Sequence, residues 1–264
     1  MKIAVAGACG RMGRRILELA IAEGLEIGGV FDLPAASGTQ ITVGTESGKP
    51  QTLTLLPGVS EALAVSDALI DFTAPAATLE NVKAAAAANK PIVIGTTGIT
   101  ESQKAEIAAA ATKVPIVLAP NMSVGVNLLF KLTSEVAAIL GLDYNVEIVE
   151  VHHNLKKDSP SGTAVRLAER AAEALGLDYA KDTAHGREGI VGARPSRQIG
   201  MHAVRGGDVV GEHTVSFIGN GERVELVHKA HNRDNFARGS LRAARFVTTA
   251  KPGLYDMQDV LGLK

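Results

Sequence analysis

One segment of the chain, residues 147–164, holds a dense group of side chains that could move a proton or bind an anion. A strand-like run delivers His152 and His153, a loop delivers Lys156, and Ser-Gly-Thr at 161–163 opens a helical pattern. Histidine titrates near neutral pH and lysine is a cationic donor, so both suit proton transfer. The free N–H groups of a helix start suit a carboxylate. The pattern therefore predicts proton transfer together with capture of an acidic group.

Two other interpretations of this segment stay open. A metal site would need further ligands; Glu150 lies on the same face of the strand as His152, but no Cys or His spacing completes a set, so we predict no metal. A solvated polar loop is the other interpretation. Adjacent histidines on a strand point to opposite faces, so His152 and His153 share a site only if the strand ends there. We interpret Glu150 as a strand residue outside the proton chemistry.

The remaining histidines have no comparable neighbours in the sequence, and we predict that most lie on the surface or on a sheet face: His185, His202, His213, His228 and His231. Arg205 and Arg233 could add positive charge around an acidic substrate, although an exposed arginine is the ordinary case. None of these residues enters the predicted site.

The first turn of the chain, Gly7-Ala8-Cys9-Gly10-Arg11-Met12-Gly13, follows a strand-like run and precedes a helical pattern. Glycines there let the backbone approach a pyrophosphate, and the helix start contributes N–H groups and the positive end of its dipole. The spacing is G-x-x-G-x-x-G, not the G-x-G-x-x-G fingerprint, so the prediction depends on the strand–turn–helix context. A glycine turn that serves packing alone is the alternative.

Asp32 ends the second strand-like run, at the interval expected for the acidic residue that binds the adenosine ribose. A carboxylate there would repel a 2′-phosphate, and Leu33-Pro34 supplies no neighbouring cation. We therefore expect NADH to be used at least as well as NADPH, although Arg11 could swing toward a phosphate. The alternative is an Asp that only begins a turn.

Two more groups sit at the carboxyl ends of predicted strands, where ligands of open α/β sheets bind. They are Gly95-Thr96-Thr97-Gly98 and Ala119-Pro120-Asn121-Met122. Their small hydroxyl and amide side chains could contact the nicotinamide end of a cofactor. Taken alone, each is also an ordinary strand-to-helix turn.

The first half of the chain alternates short apolar runs with helical patterns, which predicts a parallel sheet with right-handed crossovers. The predicted strands are Ile3 to Ala6, Leu25 to Phe31, Ala68 to Phe72, Pro91 to Gly95 and Pro115 to Ala119. The predicted helices are Arg14 to Glu23, Thr78 to Asn89 and Ser102 to Thr112, the last two with Thr or Ser caps near their starts. The stretch from Gly38 to Pro50, rich in Gly, Thr and Ser, is predicted to be a loop over the sheet.

After about Asn121 the pattern changes to that of a second domain of α+β character with an antiparallel or mixed sheet. Its predicted elements are a helix at Val126 to Leu140 and strands at Asn145 to His152, Gln198 to Val204, Glu212 to Ile218 and Arg223 to Val227. Asn220-Gly221 predicts a hairpin between the last two strands. A final helix, Asn235 to Thr248, could return to the first domain.

Composition and charge exclude several classes of protein. The 264 residues are 46% hydrophobic and 21% charged, an ordinary globular balance. The net charge of -1 gives no general attraction to nucleic acid or to an anionic membrane, and no apolar run is expected to span a bilayer. The single cysteine, Cys9, excludes an internal disulfide, and the amino terminus has no signal-peptide pattern, so we expect a cytoplasmic protein.

Taken together, the motifs resemble the 4-hydroxy-tetrahydrodipicolinate reductase family, also called dihydrodipicolinate reductases, of the diaminopimelate route to lysine. The matching motifs are Gly-x-x-Gly-Arg-Met-Gly, Gly-Thr-Thr-Gly, Pro-Asn-Met-Ser-Val-Gly-Val-Asn and His-His-Asn-Leu-Lys-Lys-Asp-Ser-Pro-Ser-Gly-Thr-Ala. The resemblance spans nearly the whole chain, through Arg205 to Thr214 and on to Tyr255-Asp256-Met257. The His-His-loop-Ser-Gly-Thr stretch is far more specific than any glycine turn.

The resemblance implies a role for each motif. His152 is implied to be the proton donor or acceptor beside the substrate ring, and Lys156 the proton donor to the product. His153, Gly162 and Thr163 are implied to hold a carboxylate of a small dicarboxylate substrate. The nicotinamide cofactor, NADH or NADPH, is implied to lie against Gly7 to Met12, Asp32, Gly95 to Thr97 and Ala119 to Met122.

The family fold implies an α/β protein with a Rossmann-type parallel sheet and a second, α+β domain with a mixed sheet. Residues 1–123, completed by 233–264, are implied to form the dinucleotide-binding domain. Residues 124–232 are implied to bind substrate and to form a homotetramer through their sheet. No nucleic-acid or membrane partner is expected.

Three positions depart from common members of the family: Cys9 where many carry Gly or Ala, Leu33 where NADPH-favouring members carry Arg, and Met122 where Phe is frequent. None removes an implied catalytic residue. Two other functions stay open from the residues alone. A non-catalytic dinucleotide sensor explains the glycine turn but not the clustered histidines and lysine, and another NAD-dependent dehydrogenase of a carboxylated substrate is excluded mainly by the resemblance.

Overall fold

The computed structural model describes residues 1–45 and 48–264. Up to Leu118 the elements are β1 (Lys2–Ala6), α1 (Arg11–Ala22), β2 (Glu26–Phe31), β3 (Gln40–Thr45), β4 (Gly48–Thr54), α2 (Val59–Ala64), β5 (Ala68–Asp71), α3 (Pro75–Ala87), β6 (Ile92–Ile94), α4 (Glu101–Ala111) and β7 (Pro115–Leu118). From Val124 they are α5 (Val124–Leu140), β8 (Asn145–His152), α6 (Gly162–Leu175), α7 (Tyr179–Asp182), β9 (Thr183–His185), β10 (Ile199–Arg205), β11 (Glu212–Ile218), β12 (Arg223–Lys229), α8 (Asp234–Val247), β13 (Gly253–Tyr255) and α9 (Met257–Leu261).

These elements form two compact units. Unit 1 consists of Met1–Val124 together with Arg233–Lys264, and unit 2 consists of Gly125–Asn232. The final long helix, α8, belongs to unit 1, where Arg15 of α1 donates to Asp234 of α8 at 2.6 Å.

The sheet of unit 1 is parallel and has six strands in the order β13-β7-β6-β5-β1-β2. Alternate residues of its strands point to opposite faces and pack into two separate hydrophobic cores. Val5 and Ile70 pack into one core, and Ala4 and Leu69 pack into the other. Burial on both faces explains why these strands read as continuous apolar runs. The strand order reverses between β1 and β5, and ligands of such sheets bind beyond the carboxyl ends of the strands at that point. The predicted Rossmann-type fold is confirmed.

The stretch from Gly38 to Pro50 is the main error in the predicted elements. It contributes an antiparallel pair of strands, β3 and β4, instead of a loop; residues 46–47 lie outside the described part. Ile41 and Val43 alternate with other residues along β3, and their side chains are buried in the hydrophobic core of unit 1. This is the period-two pattern of a strand, hidden among residues that also favour turns.

Two helix starts also differ from the prediction. Helix α1 begins at Arg11 and not at Arg14, because Gly10 is its N-cap and the glycine turn is correspondingly shorter. Helix α3 begins at Pro75 without a side-chain cap; proline suits the first turn of a helix because its missing N–H has no partner there. Thr78, expected near the cap, lies buried within the helix.

Unit 2 is built on a mixed sheet of five strands in the order β12-β11-β8-β10-β9. Strands β8, β10 and β9 run parallel, and β11 pairs antiparallel with both β8 and β12. Ile148 and Phe217 on one sheet face pack with Leu167 of α6 in the core. The hairpin predicted at Asn220-Gly221 joins β11 to β12.

Helix α5 overturns the expectation that no apolar run could span a bilayer. With the turn after it, α5 covers Val124–Asp143. This stretch has 20 residues and a window of mean hydropathy 1.4, so by length and composition alone it could cross a membrane. The core helix of a soluble protein passes the same test. Within unit 2, α5 places Val126, Leu129 and Phe130 in the hydrophobic core.

Candidate active site

The glycine turn between β1 and α1 is closed by backbone contacts that only glycine allows. Gly7 has φ +75°, and a Cβ there would lie 2.5 Å from the carbonyl oxygen of Phe72. A Cβ at Gly13 would lie 2.1 Å from the carbonyl oxygen of Gly7. The N-cap residue, Gly10, makes no side-chain hydrogen bond to the helix start. The first amides of α1 therefore have no side-chain cap, as a site for a pyrophosphate requires.

Asp32 is held beside this turn by two main-chain amides. Its Oδ2 accepts from the Cys9 N–H and its Oδ1 from the Leu33 N–H, both at 2.8 Å. The carboxylate is thereby oriented at the end of β2, where the ribose of a dinucleotide would be bound. The Leu33 side chain is 73% exposed, so it covers none of this edge.

A cavity of about 510 Å³ in unit 1 brings the glycine turn and the strand ends together. Its lining residues are Gly10, Arg11, Met12, Phe72, Thr73, Gly95, Thr96, Thr97, Pro120, Asn121, Met122 and Phe236. Among the predicted cofactor residues, Gly7, Ala8, Cys9, Asp32 and Ala119 do not line it. Phe72, Thr73 and Phe236 were not predicted; Phe72 and Thr73 follow β5 at the reversal of strand order, which is the signal that could have revealed them. The turn, Asp32 and the cavity fit a nicotinamide dinucleotide.

Glu150 is the centre of the polar cluster in unit 2. It lies on β8, as predicted, and it contacts His152 directly. Its side chain is fully buried, and its Oε2 lies 2.6 Å from His152 Nδ1. Arg205 donates to both carboxylate oxygens, at 2.7 and 2.8 Å, and the Ser161 N–H donates to Oε1 at 2.9 Å. Arg205, treated in the sequence as ordinary surface charge, is the counter-ion of this buried carboxylate.

The pKa values of the pair follow from these contacts. Burial raises the pKa of Glu150, but hydrogen bonds from Arg205, His152 and Ser161 outweigh it and hold that pKa below its ordinary value. Burial lowers the pKa of His152, which Glu150 partly opposes and the charge of Lys156 reinforces. His152 is therefore a neutral ring at neutral pH. Because the carboxylate can only accept, Nδ1 carries the proton and Nε2 carries the lone pair.

His213 lies on the face of the unit 2 sheet, in β11, and it also belongs to this cluster. It is 4% exposed, its Nε2 lies 3.0 Å from Ser161 Oγ, and its ring meets His152 edge-on at 5.3 Å between centroids. Burial, and then the neighbouring His152, lower its pKa to about 3. His213 is thus a neutral ring that packs edge-on against the neutral ring of His152. The register that sets His213 opposite Glu150 is a long-range signal absent from local patterns.

Lys156 and His153 lie in the loop after β8. The Lys156 ammonium is 2.9 Å from the Asp158 carboxylate. The main-chain N–H of Lys156 donates to the main-chain carbonyl of His153 at 3.2 Å, which forms a turn. The His153 N–H donates to the Val209 carbonyl at 2.8 Å. Within the described part of the chain, His153 Nδ1 is buried without a hydrogen-bond partner. Strand β8 ends at His152, so His153 need not point to the opposite face of the sheet. The prediction of a shared site required this end of the strand.

The predicted anion site lies at the start of α6. Ser161 is the N-cap, and its hydroxyl accepts from the Ala164 N–H at 3.2 Å. Gly162 is the first helical residue, and a Cβ built there would meet nothing within 4 Å. There is therefore open space beside Gly162 at this helix start, where the sequence predicts that a carboxylate binds.

A second charged cluster lies on the opposite face of the same strand. Glu147 accepts from Arg187, Arg194 and His202, at 2.8 to 3.0 Å. Burial raises its pKa, but these three donors outweigh it and lower that pKa to about 2. His202 is thus a sheet-face residue with a carboxylate partner. In the described ranges, 1–45 and 48–264, no group of three or more His, Cys, Asp or Glu side chains could hold a metal ion.

Comparisons with known proteins agree along the whole chain. The family model described as dihydrodipicolinate reductase, N-terminus, matches residues 1–122, and the model for the C-terminus matches residues 125–261. A relative from Citrifermentans bemidjiense, named 4-hydroxy-tetrahydrodipicolinate reductase, is 53% identical over 266 residues, covering 100% of both chains. A relative of the same name from Geobacter sulfurreducens is 52% identical, covering 100% of this chain and 99% of that one. The solved structure of dipicolinate-bound dihydrodipicolinate reductase from Paenisporosarcina sp. TG-14 is 26% identical with a TM-score of 0.78, covering 98% of each chain.

Proposed function

The chain belongs to the dihydrodipicolinate reductase family, and on that basis we propose that it is a 4-hydroxy-tetrahydrodipicolinate reductase. Its reaction removes the 4-hydroxyl group as water and reduces the resulting ring with NADH or NADPH, giving tetrahydrodipicolinate for the diaminopimelate route to lysine. The resemblance seen in the sequence motifs is confirmed. The observation that carries the proposal is the buried Glu150–His152 pair in the segment that also bears Lys156 and the open helix start at Gly162.

The groups of this chain divide the work of the reaction. When bound, the cofactor supplies a hydride for the substrate ring. Lys156 donates the proton that completes the reduction and offsets negative charge that develops on the ring. His152, neutral and fixed through Nδ1 by Glu150, offers its Nε2 lone pair beside the ring. His153 and the amides of Gly162 and Thr163 hold a substrate carboxylate.

The substrate class is supported by two observations. The helix start at Gly162 is open and electropositive, as an acidic group requires. The Paenisporosarcina relative is described as dipicolinate-bound, and dipicolinate is a ring with two carboxylates. A small dicarboxylate is therefore the ligand of unit 2.

The test is a loss of NADH absorbance when the purified protein receives the product of the preceding synthase. No loss with either NADH or NADPH would exclude the reductase and favour a dinucleotide sensor. Loss with other carboxylated substrates, but not with this one, would favour another dehydrogenase. A mock reaction without the synthase product controls for slow oxidation of NADH.

We further propose that NADH is used at least as well as NADPH. Asp32 places a carboxylate where the extra phosphate of NADPH would lie, and Leu33 adds no cation. We expect Leu33→Arg to raise kcat/KM for NADPH by about tenfold, since a phosphate contact by arginine is worth a charged hydrogen bond of about 1.5 kcal/mol. The same absorbance assay with both cofactors measures the ratio. A wild-type kcat/KM for NADPH far above that for NADH would contradict the assignment.

Gly162→Ala tests the anion site. The new methyl group meets no protein atom within 4 Å and Gly162 has no positive φ, so the fold should tolerate it. We expect KM for the substrate to rise by about tenfold with little change in Tm, because the methyl group fills the space beside the amides. Gly44→Ala, at another open glycine in β3, is the matched control and should leave KM unchanged. An unchanged KM in Gly162→Ala would remove this helix start from substrate binding.

For assembly and location, the proposal is a cytoplasmic homotetramer built through the sheet of unit 2. The sheet face opposite the α6 core carries Val149, Val151, Val204 and Val227, which line up across neighbouring strands. Val204 and Val227 are 47% and 50% exposed. Thr214 separates Val149 from Val227, and the charged Glu147 cluster lies on the same face, so the proposed contact with further copies of the chain combines apolar and charged groups. The single cysteine is compatible with a reducing compartment.

A further inference from the structure

Beneath the cavity of unit 1 lies a buried carboxyl group for which the proposed mechanism has no use. Asp71 ends β5 and is fully buried. Its Oδ1 accepts from the Thr73 hydroxyl at 2.6 Å, and its main-chain carbonyl accepts from the Gly95 N–H at 2.9 Å. In the part of the chain that the structure describes, its Oδ2 is buried without a hydrogen-bond partner.

Three threonine hydroxyls extend this contact into a closed network. Thr96 Oγ1 accepts from the Thr73 N–H at 3.0 Å and from the Thr78 hydroxyl at 2.9 Å. It also lies 3.5 Å from Asp71 Oδ1. The network joins the loop after β5, helix α3 and the loop after β6. Thr73 and Thr96 line the cavity, whereas Asp71 and Thr78 do not.

We propose that Asp71 is a positioning residue for the nicotinamide cofactor, which sets the two strand-end loops that form one wall of the cavity. The inference rests on the proposed function, since it assumes that this cavity takes the cofactor. Asp71 does not touch the cavity, so it acts only through Thr73 and Thr96. The chemical class of the ligand is a nicotinamide dinucleotide.

The energetics argue against a role in stability alone. Burial raises the pKa of Asp71, which the hydrogen bonds from Thr73 and Thr78 only partly oppose. An apolar residue at such a position usually costs the fold less than a buried carboxyl group. The carboxyl group is instead matched to the loops, because its Oδ1 accepts from Thr73 of one loop and lies 3.5 Å from Thr96 Oγ1 of the other.

The experiment is a direct titration of NADH, followed by its fluorescence, with the full-length protein and three variants. We expect Asp71→Val to raise Kd for NADH by about tenfold and Thr78→Val by about threefold, in line with the loss of one or two buried hydrogen bonds. KM for NADH should rise in parallel, while KM for the dicarboxylate stays within about twofold of wild type. Asp71→Asn keeps the shape and the accepting oxygen, and should recover most of the affinity.

Thr133→Val is the matched control, since Thr133 is a fully buried threonine of unit 2. It should leave Kd for NADH unchanged whatever it does to Tm. If folded Asp71→Val and Thr78→Val bind NADH as tightly as wild type, the inference is overturned. Should Asp71→Val fail to fold, Thr78→Val decides alone. Failure of the wild-type protein to bind either NADH or NADPH would instead overturn the proposed function.

Discussion

Lys156→Ala is expected to lower kcat by about 10²- to 10⁴-fold, the range that a positioned acid–base group contributes. The ammonium group donates the proton that accompanies hydride addition, and no side chain of similar acidity replaces it after truncation to methyl. Kd for NADH should stay within about twofold, because the predicted cofactor residues all lie in unit 1. Steady-state kinetics with saturating NADH, together with the NADH titration, measure the two effects.

The neighbouring lysine offers a matched control for this prediction. Lys157 is exposed and makes no contact assigned to the site, so Lys157→Ala should keep kcat within about twofold. If Lys156→Ala retained the wild-type kcat, Lys156 would have no part in the chemistry. Equal losses in both variants would indicate a general effect of loop charge on the acidic substrate.

The second large effect is expected from Glu150→Gln. Loss of the charge leaves Arg205 without its counter-ion and weakens the hydrogen bond from His152 Nδ1, which should destabilise the fold by about 3 kcal/mol. The amide can also present either its oxygen or its NH₂ group to His152 Nδ1, so the tautomer is no longer fixed. We expect kcat to fall by about 10²-fold for that reason. Urea unfolding and steady-state kinetics measure the two losses.

Glu147 provides the control for this substitution. It lies on the same strand, is paired with two arginines and a histidine, and faces away from the site. Glu147→Gln should therefore lower stability by a similar amount but keep kcat within about threefold. If Glu150→Gln were no less active than Glu147→Gln, Glu150 would be a structural residue only.

The same cluster makes the folded state sensitive to acid. The pKa of Glu150 lies below 4.5, so its stabilising contribution is present above pH 4.5 and lost as the pH falls through the folded value. Folding lowers the pKa of His213 from 6.5 to about 3. As the pH falls below 6.5, His213 is therefore protonated in the unfolded chain but not in the folded chain, which destabilises the fold. Both effects have the same sign. Tm should therefore decline steadily as the pH is lowered from 6.5, and the part of that decline below pH 4.5 should be smaller in Glu150→Gln.

Local periodicity was enough to predict the architecture. Strands buried on both faces read as apolar runs, and the stretches between them read as helices, of which α1 has a distinct apolar face, so the parallel sheet of unit 1 could be inferred. The β3–β4 pair was missed because its alternation is short: Ile41 and Val43 of β3 are buried, and Leu53 of β4 is partly buried opposite Ile41. Segment 147–164 was found for a similar reason, since its histidines, lysine and helix start are close in sequence.

The supporting residues of the site could not be found in that way. Arg205 is 55 positions from Glu150, and His213 is 52 positions from Ser161. Their contacts depend on which strands of the unit 2 sheet lie side by side, and one residue of slippage would turn each side chain to the other face. In the sequence Glu150 is marked only by its place on the same strand face as His152, because its contacts with Arg205 and Ser161 are set by the fold. Asp71 was missed likewise, since its threonine network joins three separate elements.

Unit 1 is assembled from both ends of the chain, which bears on how the protein is synthesised. Strand β13 pairs with β7 at one edge of the sheet, α8 packs on α1, and Phe236 of α8 completes the cavity wall. A ribosome therefore releases every residue of unit 2 before it supplies those parts. The first 124 residues emerge with apolar surface that α8 later covers, a state that invites association with other nascent chains or holding by chaperones. The cavity wall is accordingly complete only after Phe236 has been synthesised.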